Sequence, residues 1–126
     1  MQNNRIAVTS LGGSGEEARN CFLLEAGNHA VLLDCGVRRE ALGALDHVYP
    51  ALTREIAGRL TAVFLSHAHE DHVAALPYLY ELGYRGNVYG TEETIRLAGG
   101  FMKKWVDFVA AAGGRLPFSV ETMKRV

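Results

Sequence analysis

Three histidines and two carboxylates are concentrated in residues 67–72, which read His-Ala-His-Glu-Asp-His. The whole chain contains five histidines, so chance would seldom gather three of them in one place. Imidazole and carboxylate ligands without thiolates suit zinc, or another borderline first-row cation, in a hydrolytic site, whereas a structural zinc more often recruits cysteine. The pattern therefore predicts a catalytic metal centre whose ligands are His67, His69, Asp71 and His72.

The spacing divides these ligands into two pairs. Side chains two residues apart at a strand end and in the turn after it can enter one pocket, as His67 and His69 must do to hold one ion. Asp71 and His72 would open the next helix, where the turn directs them toward a neighbouring position. Two ions could thus be bound. The alternative, a cluster that only caps a helix or lies on the surface, leaves the strand-to-helix context unexplained.

A strand and a helix are predicted on either side of the motif. Residues 60–66 are predicted as a strand covered on both faces, because their centre is apolar without alternation. Residues 72–82 have a helical pattern that ends at Gly83, and residues 87–90 resume as a strand. The side chains expected to point inward from this helix are Leu76, Leu79 and Leu82.

Residues 20–26 and 29–35 are predicted to form a β-hairpin across a two-residue Gly-Asn turn. In that register Cys21 faces Asp34, and Cys35 points to the other face of the sheet. A disulfide between the two cysteines is therefore not expected. Both are interpreted as small core residues, and a metal-binding role is the lesser alternative.

The glycine-rich segment at residues 12–15 follows a predicted strand at residues 5–11 and loosely fits a dinucleotide-binding pattern. That pattern requires a helix next, whereas a hairpin follows here, and Glu16 and Glu17 would repel a pyrophosphate. A phosphate-binding P-loop is excluded because no Lys-Ser or Lys-Thr pair follows the glycines. The segment is predicted to be a flexible wall beside the active site.

The remaining segments are predicted to be largely helical. Residues 38–59 allow one helix, or two short ones broken near Pro50. Residues 91–112 contain a helix, and a further helix is predicted to start at Ser119. An amphipathic stripe on the long helix is interpreted as core and not as a cofactor site, and it consists of Phe101, Trp105, Phe108, Val109 and Ala112.

Composition and length predict one soluble domain. The 126 residues are 48% apolar and 21% charged, and no apolar run is long enough to span a membrane. The first residues lack the features of a signal peptide, which predicts a cytoplasmic protein. The chain stops at the start of a predicted helix, which suggests that it was cut there.

Charge is unevenly distributed although the net charge is only −1. Residues 1–95 hold seven Lys and Arg against twelve Asp and Glu, whereas residues 96–126 hold six against two. The basic segment is either a solvated helix face or a patch that contacts phosphates. The two histidines outside the motif, His29 and His47, are predicted to lie on the surface.

With the motif placed after a buried strand, the sequence resembles the metallo-β-lactamase superfamily. That resemblance implies an α/β layered fold, the αββα sandwich, which holds two metal ions between sheet edges. Asp34 matches the early aspartate of the family and by that resemblance supports the metal-binding loop from behind. Without the resemblance, Asp34 before Gly36 would be interpreted as an ordinary turn residue.

Two further stretches resemble the β-CASP ribonucleases, the group that contains ribonuclease J and the pre-mRNA 3′-end cleavage endonuclease. One consists of residues 11–16 with residues 19–21, the other of residues 72–77 continuing through residues 83–91, and the resemblance runs from about Ile6 to Thr122. The sequence departs from that group at three positions: Ala18 and Ala74 replace glycines, and Glu17 replaces an apolar residue. These departures bear on substrate identity and not on metal binding.

By the same resemblance, residues 1–126 are the N-terminal half of the sandwich. The later metal ligands of the family and its inserted β-CASP domain would lie beyond Val126. The chain is therefore expected to be inactive alone, to bind zinc incompletely, and to self-associate through the apolar surface that its missing half would cover.

The implied function is metal-dependent hydrolysis of RNA, with two zinc ions in the complete enzyme. Ions about 3.5–4 Å apart would share a water molecule, lower its pKa and stabilise the attacking and leaving oxygens. Asp71 is the candidate catalytic residue, which orients this water or accepts its proton. The alternatives are a thioester or lactone hydrolase of the same superfamily and a non-catalytic scaffold subunit. A scaffold subunit would tend to have lost ligands, and all four are intact.

Overall fold

A five-stranded sheet organises the part of the chain that the computed structural model describes, which is residues 5–39, 48–123 and 126. The strand order is the chain order, with the first three strands antiparallel and the last two parallel to the third. The strands are β1 (Ile6–Gly12), β2 (Cys21–Ala26), β3 (His29–Leu33), β4 (Ala62–Phe64) and β5 (Asn87–Tyr89).

Helices follow the hairpin and alternate with the parallel strands, as crossover connections require. They are α1 (Arg54–Arg59), α2 (Glu70–Val73), α3 (Leu76–Glu81), α4 (Glu92–Ala111) and α5 (Val120–Met123). The predicted α/β layered fold class is confirmed by this arrangement. None of the helices in the described ranges is long and apolar enough to cross a membrane.

The hairpin pairs as predicted, with Ala26 opposite His29 across the turn. His29 is exposed, as expected, whereas His47 lies outside the described residues. The prediction that Cys35 points away from Cys21 is wrong, because both thiols are buried and Cys21 is near enough to contribute to the raised pKa of Cys35, of which burial is the largest cause. The cause is Asp34, whose φ of 63° interrupts the alternation of a regular strand. Both cysteines are free, as predicted.

One face of the sheet is buried and the other is open. Leu23, Leu32 and Val63 are at most 3% exposed and belong to the core. On the opposite face of β4, Ala62 is buried but Phe64 is 43% exposed, so within the described residues the prediction of a strand covered on both faces holds for only part of β4. The open apolar face carries five large exposed side chains, those of Ile6, Val8, Leu33, Phe64 and Tyr89.

The long helix predicted within residues 91–112 is confirmed. Thr91 caps α4 by accepting a hydrogen bond from the backbone N–H of Thr94, at 3.1 Å. Trp105 and Val109 are fully buried, as the amphipathic stripe predicts, while Ala112 is exposed and ends the helix.

The predicted helix at residues 72–82 is divided into α2 and α3. Pro77 stands in the first turn of α3 and has no backbone N–H to donate to the preceding turn, so a new helix begins there. In the region 38–59, residues 40–47 lie outside the described part, and α1 follows Pro50, capped by Thr53. The helix predicted to start at Ser119 is α5, and Ser119 Oγ accepts from Thr122 N at 3.1 Å.

The two alanines that replace family glycines occupy different backbone conformations. Ala18 has a φ of 66°, in the left-handed region that favours glycine, whereas Ala74 is right-handed and fully buried. A left-handed conformation costs an L-residue about 1–2 kcal/mol, and a glycine costs about 0.5–1 kcal/mol in chain entropy.

We therefore predict opposite outcomes for the same substitution at these two positions. Ala18→Gly should leave the free energy of unfolding unchanged or raise it by up to about 1 kcal/mol. Ala74→Gly should lower it by about 1 kcal/mol, because nothing offsets the added chain entropy. Urea denaturation of both variants measures the difference. Equal destabilisation by the two substitutions would contradict the backbone assignment at Ala18.

Candidate metal centre

The metal loop, residues 66–72, follows β4 and includes the first residues of α2. Parallel pairing aligns the ends of β3, β4 and β5, so this loop emerges at one edge of the sheet. The backbone hydrogen bonds continue just past the strands: Asp34 N donates to Phe64 O at 2.8 Å, and Leu65 N donates to Tyr89 O at 2.8 Å. The loop therefore starts from a rigid base.

Asp34 joins both ends of the metal loop. Its Oδ1 accepts from the backbone N–H of Ser66 at 2.8 Å, and its Oδ2 accepts from Ser66 Oγ at 2.6 Å. The same Oδ2 lies 3.0 Å from His72 Nδ1. The structure therefore brings Asp34 into contact with the loop, where the family resemblance expected it. Sequence reasoning missed Ser66, whose only signal was its position directly before His67.

These contacts shift the pKa of both partners toward the charged forms. Burial raises the pKa of Asp34, but the hydrogen bonds from His72 and Ser66 outweigh it, so the pKa lies below its ordinary value. The hydrogen bond to Asp34 raises the pKa of His72 against the opposing effect of burial. Since Asp34 takes the Nδ1 atom, Nε2 is the nitrogen of His72 that is left to face the other ligands.

His67 and His69 face each other through the two nitrogens that could share an ion. His67 Nε2 lies 2.5 Å from His69 Nδ1, with the rings almost perpendicular. Two nitrogens on one tetrahedral zinc lie about 3.3 Å apart, since each zinc–nitrogen bond is about 2.0–2.1 Å. The pair therefore has to open by less than 1 Å to accept an ion.

Asp71 and His72 form the second pair. Asp71 Oδ2 lies 3.6 Å from His72 Nε2, a separation close to that of two ligands on one ion. The rings of His67 and His72 are 5.1 Å apart, so the two pairs are adjacent. Among the residues that the structure describes, no three His, Cys, Asp or Glu side chains are grouped to hold a metal ion. The four donors therefore form two pairs, and each pair is one short of the three protein ligands of a usual catalytic zinc.

The metal loop is packed tightly against the segment that follows β3. A β-carbon added to Gly36 would overlap the backbone carbonyl of Asp71, so only glycine fits at this contact. Cys35 N donates to His72 O at 2.8 Å. Asn20 adds two hydrogen bonds to Asp71 O, from its backbone nitrogen at 3.1 Å and its side-chain nitrogen at 3.0 Å.

The conformation of the glycine-rich segment is held by Glu16, which the prediction of a flexible wall did not anticipate. That carboxylate accepts from Gly13 N at 3.1 Å, from Arg19 Nε at 2.7 Å and from Arg38 Nη1 at 3.3 Å. The hydrogen bond from Arg19 is the largest cause that holds the pKa of Glu16 below its ordinary value. The prediction of a wall treated Glu16 only as a charge that would repel phosphate and missed this internal role.

Comparison with known proteins finds a matching family and similar proteins. Residues 14–121 match the metallo-beta-lactamase superfamily. The chain is 38% identical over 125 residues to transcription termination factor FttA of Methanothermobacter thermautotrophicus, covering 98% of this chain and 20% of that protein. It is 31% identical over 125 residues to ribonuclease J of Helicobacter pylori, covering 91% of this chain and 18% of that protein.

A solved structure is also similar. The metallo-beta-lactamase fold protein YhfI from Bacillus subtilis aligns with a TM-score of 0.48 and 26% identity, over 73% of this chain and 39% of that chain.

The chain belongs to the metallo-beta-lactamase superfamily, as the motif at residues 67–72 predicted. Membership implies binding of divalent metal ions. The predicted resemblance to ribonuclease J is confirmed as well. The chain spans about a fifth of the length of the curated relatives named above.

We predict that Gly36→Ala destabilises the protein by about 3 kcal/mol, because the new methyl group must displace the backbone of Asp71. The matched control is Gly58→Ala in α1, where an added β-carbon meets nothing within 4 Å. That substitution should stabilise by about 0.5–1 kcal/mol through helix propensity. Thermal unfolding compares the two, and a tolerated Gly36→Ala would contradict the close approach of the two segments.

Proposed function

We propose that this chain supplies part of the divalent-metal centre of a hydrolase that cleaves RNA phosphodiester bonds. The observation that carries the proposal is the paired arrangement of His67 with His69 and of Asp71 with His72 at one sheet edge. Similarity to ribonuclease J, together with the stretches flanking the motif, supports RNA as the substrate and the β-CASP branch as the subgroup.

Each residue has a role in this proposal. His67 and His69 hold one zinc ion and Asp71 and His72 hold the other, while Asp34 orients His72 through Nδ1. Bound ions lower the pKa of water and neutralise charge on phosphate oxygens. Asp71 is only partly covered, with 37% of its side chain exposed, so solvent can reach its carboxylate. Asp71 therefore orients the attacking water or accepts its proton.

The test is cleavage of labelled single-stranded RNA by the product of the complete open reading frame, with and without a chelator. We expect chelator-sensitive cleavage and a loss of about 100-fold or more in Asp71→Asn. His29→Ala, at the exposed hairpin turn, is the control and should retain activity. A thioester substrate is assayed in parallel. Activity on the thioester alone would assign the small-molecule branch, and folded protein without any activity would assign a scaffold role.

We predict that the 126-residue chain alone binds zinc weakly as a monomer. A catalytic zinc usually has three protein ligands, and each pair here provides two. Calorimetric titration at several protein concentrations measures the affinity, and binding that tightens with concentration would indicate a ligand borrowed from a neighbouring chain. Tight, concentration-independent binding that survives His69→Ala would show that the ligands are misassigned.

We also propose that the 126-residue chain self-associates through the open apolar face of the sheet. Leu33 is central to this face and 37% exposed, while Leu97 is 38% exposed on α4 and offers a matched control. We expect Leu33→Lys to lower the sedimentation-derived molecular mass and Leu97→Lys to leave it unchanged, because only the former adds a charge to the face. A strictly monomeric wild-type chain would contradict the proposal.

A further inference from the structure

Two aromatic residues of α4 are linked to the metal loop, Phe101 by direct contact and Phe108 through Arg39. Phe101 and Phe108 are seven residues apart, close to two helical turns, so both project toward one direction. Both are only partly buried and pack at the edge of the core. The sequence assigns both to a core stripe, and both do pack against the core. In addition, Phe101 contacts His69 of the metal loop, and Phe108 contacts Arg39.

Phe101 packs directly on His69. The two ring centroids are 4.9 Å apart at an interplanar angle of 72°, an edge-to-face arrangement. Lys104 places its ammonium group 4.9 Å from the centroid of the Phe101 ring and so covers that ring from another side. Phe101 is therefore held between a cation and an imidazole, which restricts the planes that its ring can adopt.

The orientation of the His69 ring depends on packing more than that of the His72 ring does. Within the described ranges, the only hydrogen bond of the His69 ring is the one to His67. His72, by contrast, is oriented by the carboxylate of Asp34. A histidine ligand ordinarily donates its second N–H to a carboxylate, a carbonyl or water, which fixes the ring. For His69, the contact with the Phe101 ring takes over that orienting role.

The residue after His69 is tied to the same helix through a stacked arginine. Glu70 accepts two hydrogen bonds from the Arg39 guanidinium, from Nε to Oε2 at 2.9 Å and from Nη2 to Oε1 at 2.5 Å. The centre of that guanidinium lies 3.9 Å from the centroid of the Phe108 ring. This bidentate pair is geometrically specific, and the aromatic ring beneath it limits how the arginine can turn.

We propose that α4 is a positioning element of the metal centre: Phe101 sets the ring plane of His69, and Phe108 with Arg39 anchors Glu70. The inference rests on the proposed function, in which His69 is a metal ligand. Glu70 itself acts as an anchor and not as a ligand, because both of its oxygens are engaged by Arg39. The two contacts bracket the backbone of the loop at neighbouring residues, so losing either one frees His69 to turn away from His67.

The first experiment needs no metal. The ring of Phe101 shifts the proton resonances of the His69 imidazole, so Phe101→Leu should move them toward their ordinary positions in a metal-free NMR spectrum. Phe101→Tyr keeps an aromatic ring and should preserve the shift. Leu97→Ala, on the same helix, is the control and should leave the His69 signals unchanged. Unchanged His69 signals in Phe101→Leu would overturn the proposal, as would an equal change in Leu97→Ala.

The second experiment measures zinc affinity by NMR titration, which reaches dissociation constants too weak for calorimetry. We expect Phe101→Leu and Arg39→Gln to weaken binding by about 10-fold or more, the range found for partners that orient metal ligands. Arg39→Lys should be intermediate, because an ammonium cannot form the bidentate pair. Arg39 lies on the surface, so its variants should keep the thermal stability of the wild type.

The two experiments separate the positioning role from the proposed function. Wild-type zinc binding that perturbs residues away from the metal loop would sink the metal assignment, while the metal-free spectra would still decide whether Phe101 orients His69. Affinity that is unchanged in both Phe101→Leu and Arg39→Gln, with zinc bound at the loop, would overturn the positioning role and leave the metal centre in place.

Discussion

The carboxylate of Asp34 is the interaction on which the metal loop depends. It lies at the end of β3 with a φ of 63°, and that turn directs its side chain toward Ser66 and His72. A left-handed aspartate is tolerated because its short polar side chain finds local hydrogen-bond partners, and here those partners are the loop itself. One residue thus ends the strand, redirects the chain toward Gly36 and fixes a candidate ligand.

Sequence patterns predicted the features that are local. The strand and the helix on either side of the motif, the hairpin register and a helix within residues 91–112 each follow from spacing within a few residues. The side of the sheet taken by Cys35 could not be predicted, because it depends on the left-handed turn at Asp34, which the period of two does not encode. The division between α2 and α3 was signalled by Pro77, but the continuous apolar pattern obscured it.

Contacts between distant segments were beyond the reach of sequence patterns. Phe101, Trp105, Phe108 and Val109 share a spacing that indicates a helix face buried in the core. That prediction is correct for Trp105 and Val109, which are fully buried. Whether a residue at the edge of such a face meets the core or a functional loop is decided by how the helix lies across the sheet. The open apolar face was missed for the same reason. The apolar centre of β4 predicts burial, but it cannot indicate which other element covers the strand.

The two candidate ligand pairs are held by different physical forces, which has a consequence for how ions enter. Asp71 and His72 are fixed by hydrogen bonds to the backbone and to Asp34, and their donor atoms already stand 3.6 Å apart. His67 and His69 are held mainly by ring packing, and their nitrogens, at 2.5 Å, are too close to share an ion. Filling the histidine pair therefore requires opening of the rings against Phe101, whereas the pair of Asp71 and His72 needs little rearrangement.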